Sequence, residues 1–262
     1  MTPGGYYKSP KVLLNELGIT EPHDIQIEAI AQYCGATIVY ETLSGCEARI
    51  IGFGDQAIIT VKKNSTRERQ RFSAGHELGH WMRDRGKISF QCQSRDFTGE
   101  WDEDNPERRA NRYATDILLP DFMFSPRAKN RPITFQTVQE LASEFKTSVT
   151  ATAIRLIELG SFPAMIICYG PGKRRWFIRG EDVPHFLWPV GMPEHGTVAH
   201  SLLQGQMVKS REPAEVYADS WITHRDSHKY KIVEDSLRVS GDLILTLLWW
   251  KDERQLLDLA RY

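Results

Sequence analysis

The stretch of residues 64–83 constrains the chain most, because it contains the motif His-Glu-Leu-Gly-His at residues 76–80. Side chains four positions apart lie on the same face of a helix, so His76 and His80 can direct two imidazoles at one metal ion. Glu77 follows the first of them, where it can reach a water molecule at that ion. The pattern predicts a metal helix with a carboxylate general base, the arrangement of zinc peptidases. The alternative is a chance match on an ordinary amphipathic helix.

Two glycines in the same segment favour a closely packed helix over a chance match. Gly75 and Gly79 are poor helix formers, each costing about 1 kcal/mol relative to alanine. Their presence predicts that another element packs closely against this helix. Phe72, Leu78 and Trp81 supply apolar faces for its burial.

A metallopeptidase needs a third protein ligand and an open fourth position. The next strong helical segment is residues 105–119, where Asn105 can cap the helix and Pro106 fits its first turn. Glu107 comes directly after them and is the best candidate for the third ligand. Apolar residues at helical spacing predict that the rest of this helix is buried on one face, which includes Tyr113.

These two segments resemble the ImmA/IrrE family of metallo-endopeptidases. The shared patterns are R-x-R-F-x-x-x-H-E-L-G-H-W and, later, E-x-x-A-N-R-Y-A-x-x-I-L-L-P, and the match covers roughly residues 50–160. The matching residues are Arg69, Arg71, Phe72, His76, Glu77, Leu78, Gly79, His80, Trp81, Glu107, Ala110, Asn111, Tyr113, Ala114, Leu118, Leu119 and Pro120.

The resemblance implies both a site and a biological role. By analogy, His76, His80 and Glu107 bind Zn²⁺, and Glu77 is the general base. The implied substrate is a small helix-turn-helix repressor, which is cut so that a stress or antiphage-defence operon is released. DNA damage is the usual trigger in the family.

Composition and charge indicate a soluble protein of one large domain or two modest ones. The 262 residues carry a formal net charge of −1, which gives no overall attraction to nucleic acid. The amino terminus lacks the apolar core of a signal peptide, and the longest apolar run, residues 243–250, is too short to span a bilayer. Four scattered cysteines do not form a disulfide framework, so we expect a cytoplasmic protein without membrane contact.

An α+β arrangement is predicted before the metal helix. Residues 24–34 have the pattern of an amphipathic helix, and residues 37–40, 48–53 and 56–61 have the pattern of strands. Zinc peptidases commonly bind the scissile peptide as an extra strand on a sheet edge. Residues 56–61 are the candidate for that edge, with a purely structural strand as the alternative.

Cys92 lies in the segment between the metal helix and Glu107. A lone cysteine is usually a small packed apolar residue. A thiolate is also a good zinc ligand, and a loop between the second and third ligands passes close to the metal. Cys92 is therefore a candidate fourth ligand that keeps the enzyme latent.

The chain is predicted to have three parts: a zincin-like metallopeptidase core (residues 1–132), a helix-turn-helix-like segment (133–162) and a GAF-like α+β sensor domain (163–262). In the middle part, Lys146 stands where a DNA-binding version often has glycine, and the second helix carries only Arg155 as a cation. A helical buttress, or a dock for the repressor, is therefore favoured over DNA reading. In position and size the last part is similar to the GAF-like domain of longer ImmA/IrrE family members, so the sensor domain is what the resemblance implies.

Two clusters in the last part mix cations with aromatic residues, a composition that suits single-stranded nucleic acid. The residues selected as candidates are Lys173, Arg174, Arg175, Trp176, Arg225 and Lys229. A solvated hairpin face is the alternative. Because DNA damage is the usual trigger in the family, single-stranded DNA is the candidate activator.

Two functional hypotheses follow from the sequence. The first is a zinc endopeptidase that cleaves a helix-turn-helix transcriptional repressor. The second is a non-catalytic regulatory protein, in which zinc is structural and the protein binds a repressor or DNA. Glu77 discriminates between them, because a structural zinc site has no use for a general base.

Overall fold

The computed structural model describes residues 7–84, 105–160, 162–206 and 212–260, and within them it is a mixed α+β protein. Contacts divide the chain into two compact units. The first unit is Met1–Pro126 with Ala142–Ser148, and the second is Arg127–Leu141 with Val149–Tyr262. The three-part division proposed from the sequence stays a prediction. No helix among the described residues has the length and apolar character needed to cross a membrane.

The described part of the amino-terminal half has two short helices, then one small sheet, and then three further helices. Its elements are α1 (Pro10–Glu16), α2 (Ile27–Tyr33), β1 (Ala36–Glu41), β2 (Ala48–Phe53), β3 (Gln56–Lys62), α3 (Arg67–Asp84), α4 (Pro106–Leu118) and α5 (Asp121–Ala128). The three strands and the two long helices confirm the sequence prediction. The predicted helix over residues 24–34 divides, because Pro22–Asp24 form a 3-10 turn and the α-helix begins at Ile27.

The strand order of the first sheet is β1-β3-β2. β2 and β3 form an antiparallel hairpin, with Gly54 in the turn at a positive φ of 61°. β1 pairs with the other side of β3 in parallel, so β3 is the central strand. The prediction that residues 56–61 form an open edge for substrate is therefore wrong, because both sides of this strand already make backbone hydrogen bonds.

The described elements from residue 129 onwards are four α-helices and the strands of a five-stranded and a two-stranded sheet. They are α6 (Phe135–Phe145), α7 (Val149–Leu159), β4 (Ala164–Gly170), β5 (Lys173–Arg179), β6 (Trp188–Pro189), α8 (Val198–Leu203), β7 (Ala214–Tyr217), β8 (Ile222–Thr223), β9 (Lys231–Arg238), β10 (Ile244–Trp249) and α9 (Arg254–Leu259). Short 3-10 turns occur at Ala218–Ser220 and Ser227–Lys229. Lys146 links α6 to α7 with a φ of 54°, a conformation that usually favours glycine.

The second unit is built on a five-stranded antiparallel sheet in the order β5-β4-β10-β9-β7. β4 is buried along its whole length, as its apolar sequence requires at a central position. The core on this sheet contains the large side chains of Trp221, Trp250 and Tyr169. Asp235 on β9 accepts a hydrogen bond of 2.7 Å from the backbone N–H of Phe135, and so caps the first turn of α6.

Candidate metal centre

The middle of α3 is buried on every side. Residues 73–82 are all buried, although three of them are ionisable. His76 is 9% exposed, His80 2% and Glu77 0%. Surface helices bury one stripe and leave the opposite face in water. A fully enclosed helix that carries two imidazoles and a carboxylate instead indicates a built polar site.

The glycines of α3 allow α4 to approach closely, as the sequence predicted. A Cβ atom at Gly79 would lie 3.0 Å from both the Cα of Ala110 and the Cβ of Tyr113. A Cβ at Gly75 would lie 3.3 Å from the Cβ of Ala114. Carbon atoms pack best at about 3.5–4.0 Å, so a side chain at Gly79 would push the helices apart, whereas one at Gly75 would require only a small shift.

The first turn of α4 holds Glu107 in place. The side chain of Asn105 accepts a hydrogen bond of 2.9 Å from the backbone N–H of Glu107, which confirms the predicted cap. Pro106 occupies the first helical position, where a missing N–H costs nothing. The apolar side of α4 then packs against α3, so the carboxylate of Glu107 reaches the two histidines.

His76, His80 and Glu107, here called the metal cluster, bring their donor atoms together. The Nε2 atoms of His76 and His80 are 3.2 Å apart. Oε2 of Glu107 lies 3.3 Å from Nε2 of His76, and Oε1 of Glu107 lies 3.4 Å from Nε2 of His80. Among the described residues, this is the one group of three or more His, Cys, Asp or Glu side chains that can hold a metal ion.

These donor distances fit a tetrahedral zinc ion. Nitrogen and oxygen ligands bind zinc at about 2.0–2.1 Å, which at tetrahedral angles places any two donors about 3.3–3.4 Å apart. The Nε2–Nε2 distance and the two Nε2–oxygen distances, which involve different oxygens of Glu107, each fall within about 0.2 Å of this value. Two imidazoles and one carboxylate are also a ligand set of catalytic zinc sites.

Asn111 makes a contact that the sequence reasoning missed. Its Oδ1 atom is 2.8 Å from Nδ1 of His76, on the side of the ring away from the metal cluster. The sequence offered one signal: Asn111 lies four residues after Glu107, and therefore on the same face of α4.

The charged residues at the start of α3 tie the helix to its surroundings. Arg69 lies 3.8 Å from a carboxylate oxygen of Glu47 and forms an ion pair with it. Ser65 and Lys62 donate to the same carboxylate at 2.6 and 2.9 Å, and they hold the pKa of Glu47 below its usual value. Arg71 donates instead to the carbonyl of Ile25 at 3.0 Å.

Tyr113 belongs to the core, as its helical position predicted. Its hydroxyl donates to the carbonyl of Lys8 at 3.2 Å, and burial raises its pKa. Cys92 lies outside the described residues, so its role as a fourth ligand stays a prediction.

The first basic cluster lies along β5, and its members differ in their surroundings. Lys173 and Arg175 are exposed, and Trp176 is half-buried. Arg174 donates hydrogen bonds to the carbonyls of Pro189 and Val190, so part of its guanidinium group already has partners within the protein. Two of the four candidates in this cluster therefore present an exposed cation.

The second cluster contains its own counterion. Asp226 accepts hydrogen bonds from Arg225 at 3.2 Å and from Lys229 at 2.6 Å, and these cations lower its pKa. Arg225 also lines an open depression of about 400 Å³ together with Glu194 and Asp219. Carboxylates beside the cations weaken the field that a phosphate backbone would meet.

Comparisons with known proteins agree with this geometry. A peptidase family model described as an IrrE N-terminal-like domain matches residues 31–157, which include the whole metal cluster. The solved structure of a Mycobacterium tuberculosis transcriptional regulator has a similar fold, with a TM-score of 0.61 and 14% sequence identity over 92% of this chain and 74% of that one. Among curated proteins, none matches the sequence.

Proposed function

Residues 31–157 belong to the family of IrrE N-terminal-like peptidase domains, and from that premise we propose that the protein is a zinc-dependent endopeptidase. The observation that carries the proposal is the donor spacing of 3.2–3.4 Å in the metal cluster. Three ligands of this kind leave a fourth tetrahedral position for water or substrate, as in catalytic zinc sites.

The residues of the site divide the chemistry among them. His76, His80 and Glu107 hold the ion. When bound, zinc supplies Lewis acidity, which lowers the pKa of water and polarises a peptide carbonyl. Glu77, next to the first ligand and enclosed in the protein, accepts the proton of the attacking water and delivers it to the leaving amine.

The burial of Glu77 favours catalysis over the regulatory alternative. A structural zinc site is usually closed by four protein ligands and needs no carboxylate beside them. Burial of the ionisable side chain of Glu77, which is 0% exposed, lowers the stability of the folded protein, and an apolar residue could fill the same space without that cost. A functional role for this carboxylate explains why the chain accepts that cost.

The outer edge of β2 is the proposed binding site for an extended substrate. Among the described residues, β2 pairs with β3 on one side and with no strand on the other. β2 also lies against the metal helix, since a Cβ at Gly52 would come within 2.6 Å of the ring of Trp81, the residue after His80. A peptide added there would form backbone hydrogen bonds beside the site.

Exposed apolar side chains border this edge. Ile51 is 56% exposed and Phe53 91%, and both belong to β2. Ile58 is paired opposite Ile51 and is also exposed. Natural edge strands more often carry charges that prevent pairing. An apolar open edge therefore fits a substrate segment with apolar residues at alternate positions.

The proposed substrate is a helix-turn-helix transcriptional repressor in the cytoplasm, whose cleavage releases a stress or antiphage-defence operon. This choice rests on family membership. The proposed role of α6 and α7 is a helix-turn-helix-like dock or buttress. The five-stranded sheet unit is the proposed GAF-like sensor that gates cleavage after DNA damage.

Single-stranded DNA is the proposed activator of that sensor. Lys173 and Arg175 support the proposal because they are exposed cations on one strand, beside the half-buried Trp176. The contacts of Arg174 and the counterion of Arg225 and Lys229 reduce the charge available for phosphate. Binding of this kind must weaken steeply as salt is raised.

The test is a cleavage assay with the zinc-loaded protein and small helix-turn-helix repressors encoded by neighbouring genes, with and without single-stranded DNA. Glu77→Gln should abolish cleavage and retain zinc, because it removes the base and leaves the ligands. Glu68→Gln, in the first turn of the same helix, is the matched control and should cleave normally. Cleavage that persists in Glu77→Gln would refute its role as the base, and tight repressor binding by the wild type without any cleavage would support the regulatory alternative.

A further inference from the structure

Asn111 and His76 form a polar contact between the two helices of the site. Oδ1 of Asn111 lies 2.8 Å from Nδ1 of His76, and His76 is buried. Asn111 follows Glu107 by one helical turn on α4. The helix that supplies the carboxylate ligand therefore also contacts the imidazole supplied by the other helix.

A neutral imidazole has one N–H group and one lone pair, and its neighbours decide which nitrogen carries the proton. The amide oxygen of Asn111 can only accept, so Nδ1 of His76 must donate to it. Nε2 then keeps the lone pair. Nε2 is the atom that faces Glu107 at 3.3 Å and His80 at 3.2 Å.

The opposite orientation of the amide would have the opposite effect. If the NH2 group of Asn111 faced the ring, Nδ1 would accept and the proton would sit on Nε2, inside the metal cluster. That proton would have to leave before the ring could bind a metal ion. The two orientations therefore differ in whether His76 is prepared as a ligand.

We infer that Asn111 is a positioning residue, which fixes the ring of His76 in the Nδ1–H form with its lone pair directed into the metal cluster. The inference rests on the proposed zinc site and adds a residue to it. Partners of metal-bound histidines typically change metal affinity by about 10–100-fold when they are removed. An asparagine can accept the hydrogen bond from His76 without adding a negative charge beside Glu107.

Two substitutions separate this role from packing. Asn111→Leu keeps a side chain of similar size and removes the acceptor, whereas Asn111→Asp keeps an acceptor in the same place. Arg112→Gln is the matched control on α4, since Arg112 pairs with Asp116 on the exposed side of the helix. Circular dichroism of each variant verifies that the helices are formed.

The first readout is zinc affinity, measured by competition with a chelator. We expect Asn111→Leu to bind zinc about 10–100-fold more weakly than the wild type, and Asn111→Asp and Arg112→Gln to stay close to it. An Asn111→Leu variant with wild-type affinity would overturn the inference.

The second readout needs no metal. The ring nitrogen chemical shifts of His76, in metal-free protein with ¹⁵N-labelled histidine, report which nitrogen carries the proton in the neutral ring. We expect the Nδ1–H form in the wild type and loss of that preference in Asn111→Leu. A wild-type neutral ring protonated on Nε2 alone would overturn the inference. Failure of the wild type to bind zinc would instead refute the proposed function, and the chemical shifts would still decide the role of Asn111.

Discussion

Gly79 lies where α3 meets α4, directly before the ligand His80 in the sequence. Replacing it with alanine would add a Cβ atom 3.0 Å from the Cα of Ala110 and 3.0 Å from the Cβ of Tyr113. Neither contact is the flexible end of a side chain. We therefore expect Gly79→Ala to separate the two helices rather than to be absorbed by a rotamer change.

The size of the effect follows from these distances. Best packing at about 3.5–4.0 Å leaves a shortfall of about 0.5–1.0 Å. Alanine gains about 1 kcal/mol of helix propensity, and overpacking costs about 1–3 kcal/mol, so the free energy of unfolding should fall by about 0–2 kcal/mol. Metal affinity should fall more clearly, because ligand distances must be kept within about 0.2 Å and the two helices hold different ligands.

Gly75→Ala is the control, because its added Cβ would meet the Cβ of Ala114 at 3.3 Å and needs a much smaller adjustment. It should keep zinc affinity and gain up to about 1 kcal/mol of stability from helix propensity. Urea denaturation of the metal-free proteins and chelator competition measure the two quantities. If Gly79→Ala were stabilised like Gly75→Ala and bound zinc as tightly as the wild type, the reasoning from helix spacing would be refuted.

Two further predictions concern residues around the site. Tyr113→Phe should lower the free energy of unfolding by about 1 kcal/mol, through loss of the hydrogen bond to Lys8, and leave cleavage unchanged; a cleavage defect at unchanged stability would give this hydroxyl a catalytic role. The pKa of Glu47 is lowered by its contact with Ser65, so its stabilising effect is present above the ordinary glutamate pKa and is lost as pH falls through the lowered value. The free energy of unfolding of the wild type should therefore exceed that of Glu47→Gln by about 1 kcal/mol at neutral pH, and the difference should vanish in acid. Urea denaturation across pH measures it, and a difference that persisted in acid would contradict the assignment.

The metal cluster could be predicted from sequence because its information is local. His76 and His80 are four residues apart on one helix, and Asn105 and Pro106 predict the start of the helix that carries Glu107. Helical periodicity and capping act over a few residues, so they are visible in the chain itself. The glycines of α3 even indicated that a second helix would pack against the first.

The order of the first sheet could not be predicted in the same way. The turn at Gly54 specifies that β2 and β3 pair, but a parallel partner for β3 comes from a strand earlier in the chain. Which strand lies in the centre depends on this non-local pairing, and each of the three has a similar apolar pattern. The contact of Asn111 with His76 is non-local too, since it joins residues 35 positions apart.

The enclosure of α3 limits how this sequence can change. A helix with one face in water offers positions where substitutions are nearly neutral, but residues 73–82 offer none, because each is packed. Mutations that alter the centre of this helix will therefore change folding and metal binding together. Altered substrate preference can arise more easily at exposed positions of the neighbouring sheet, such as Ile51 and Phe53, where side chains can vary without disturbing the core. Laboratory evolution of this protein should accordingly accumulate its tolerated changes on the strands and leave the metal helix almost untouched.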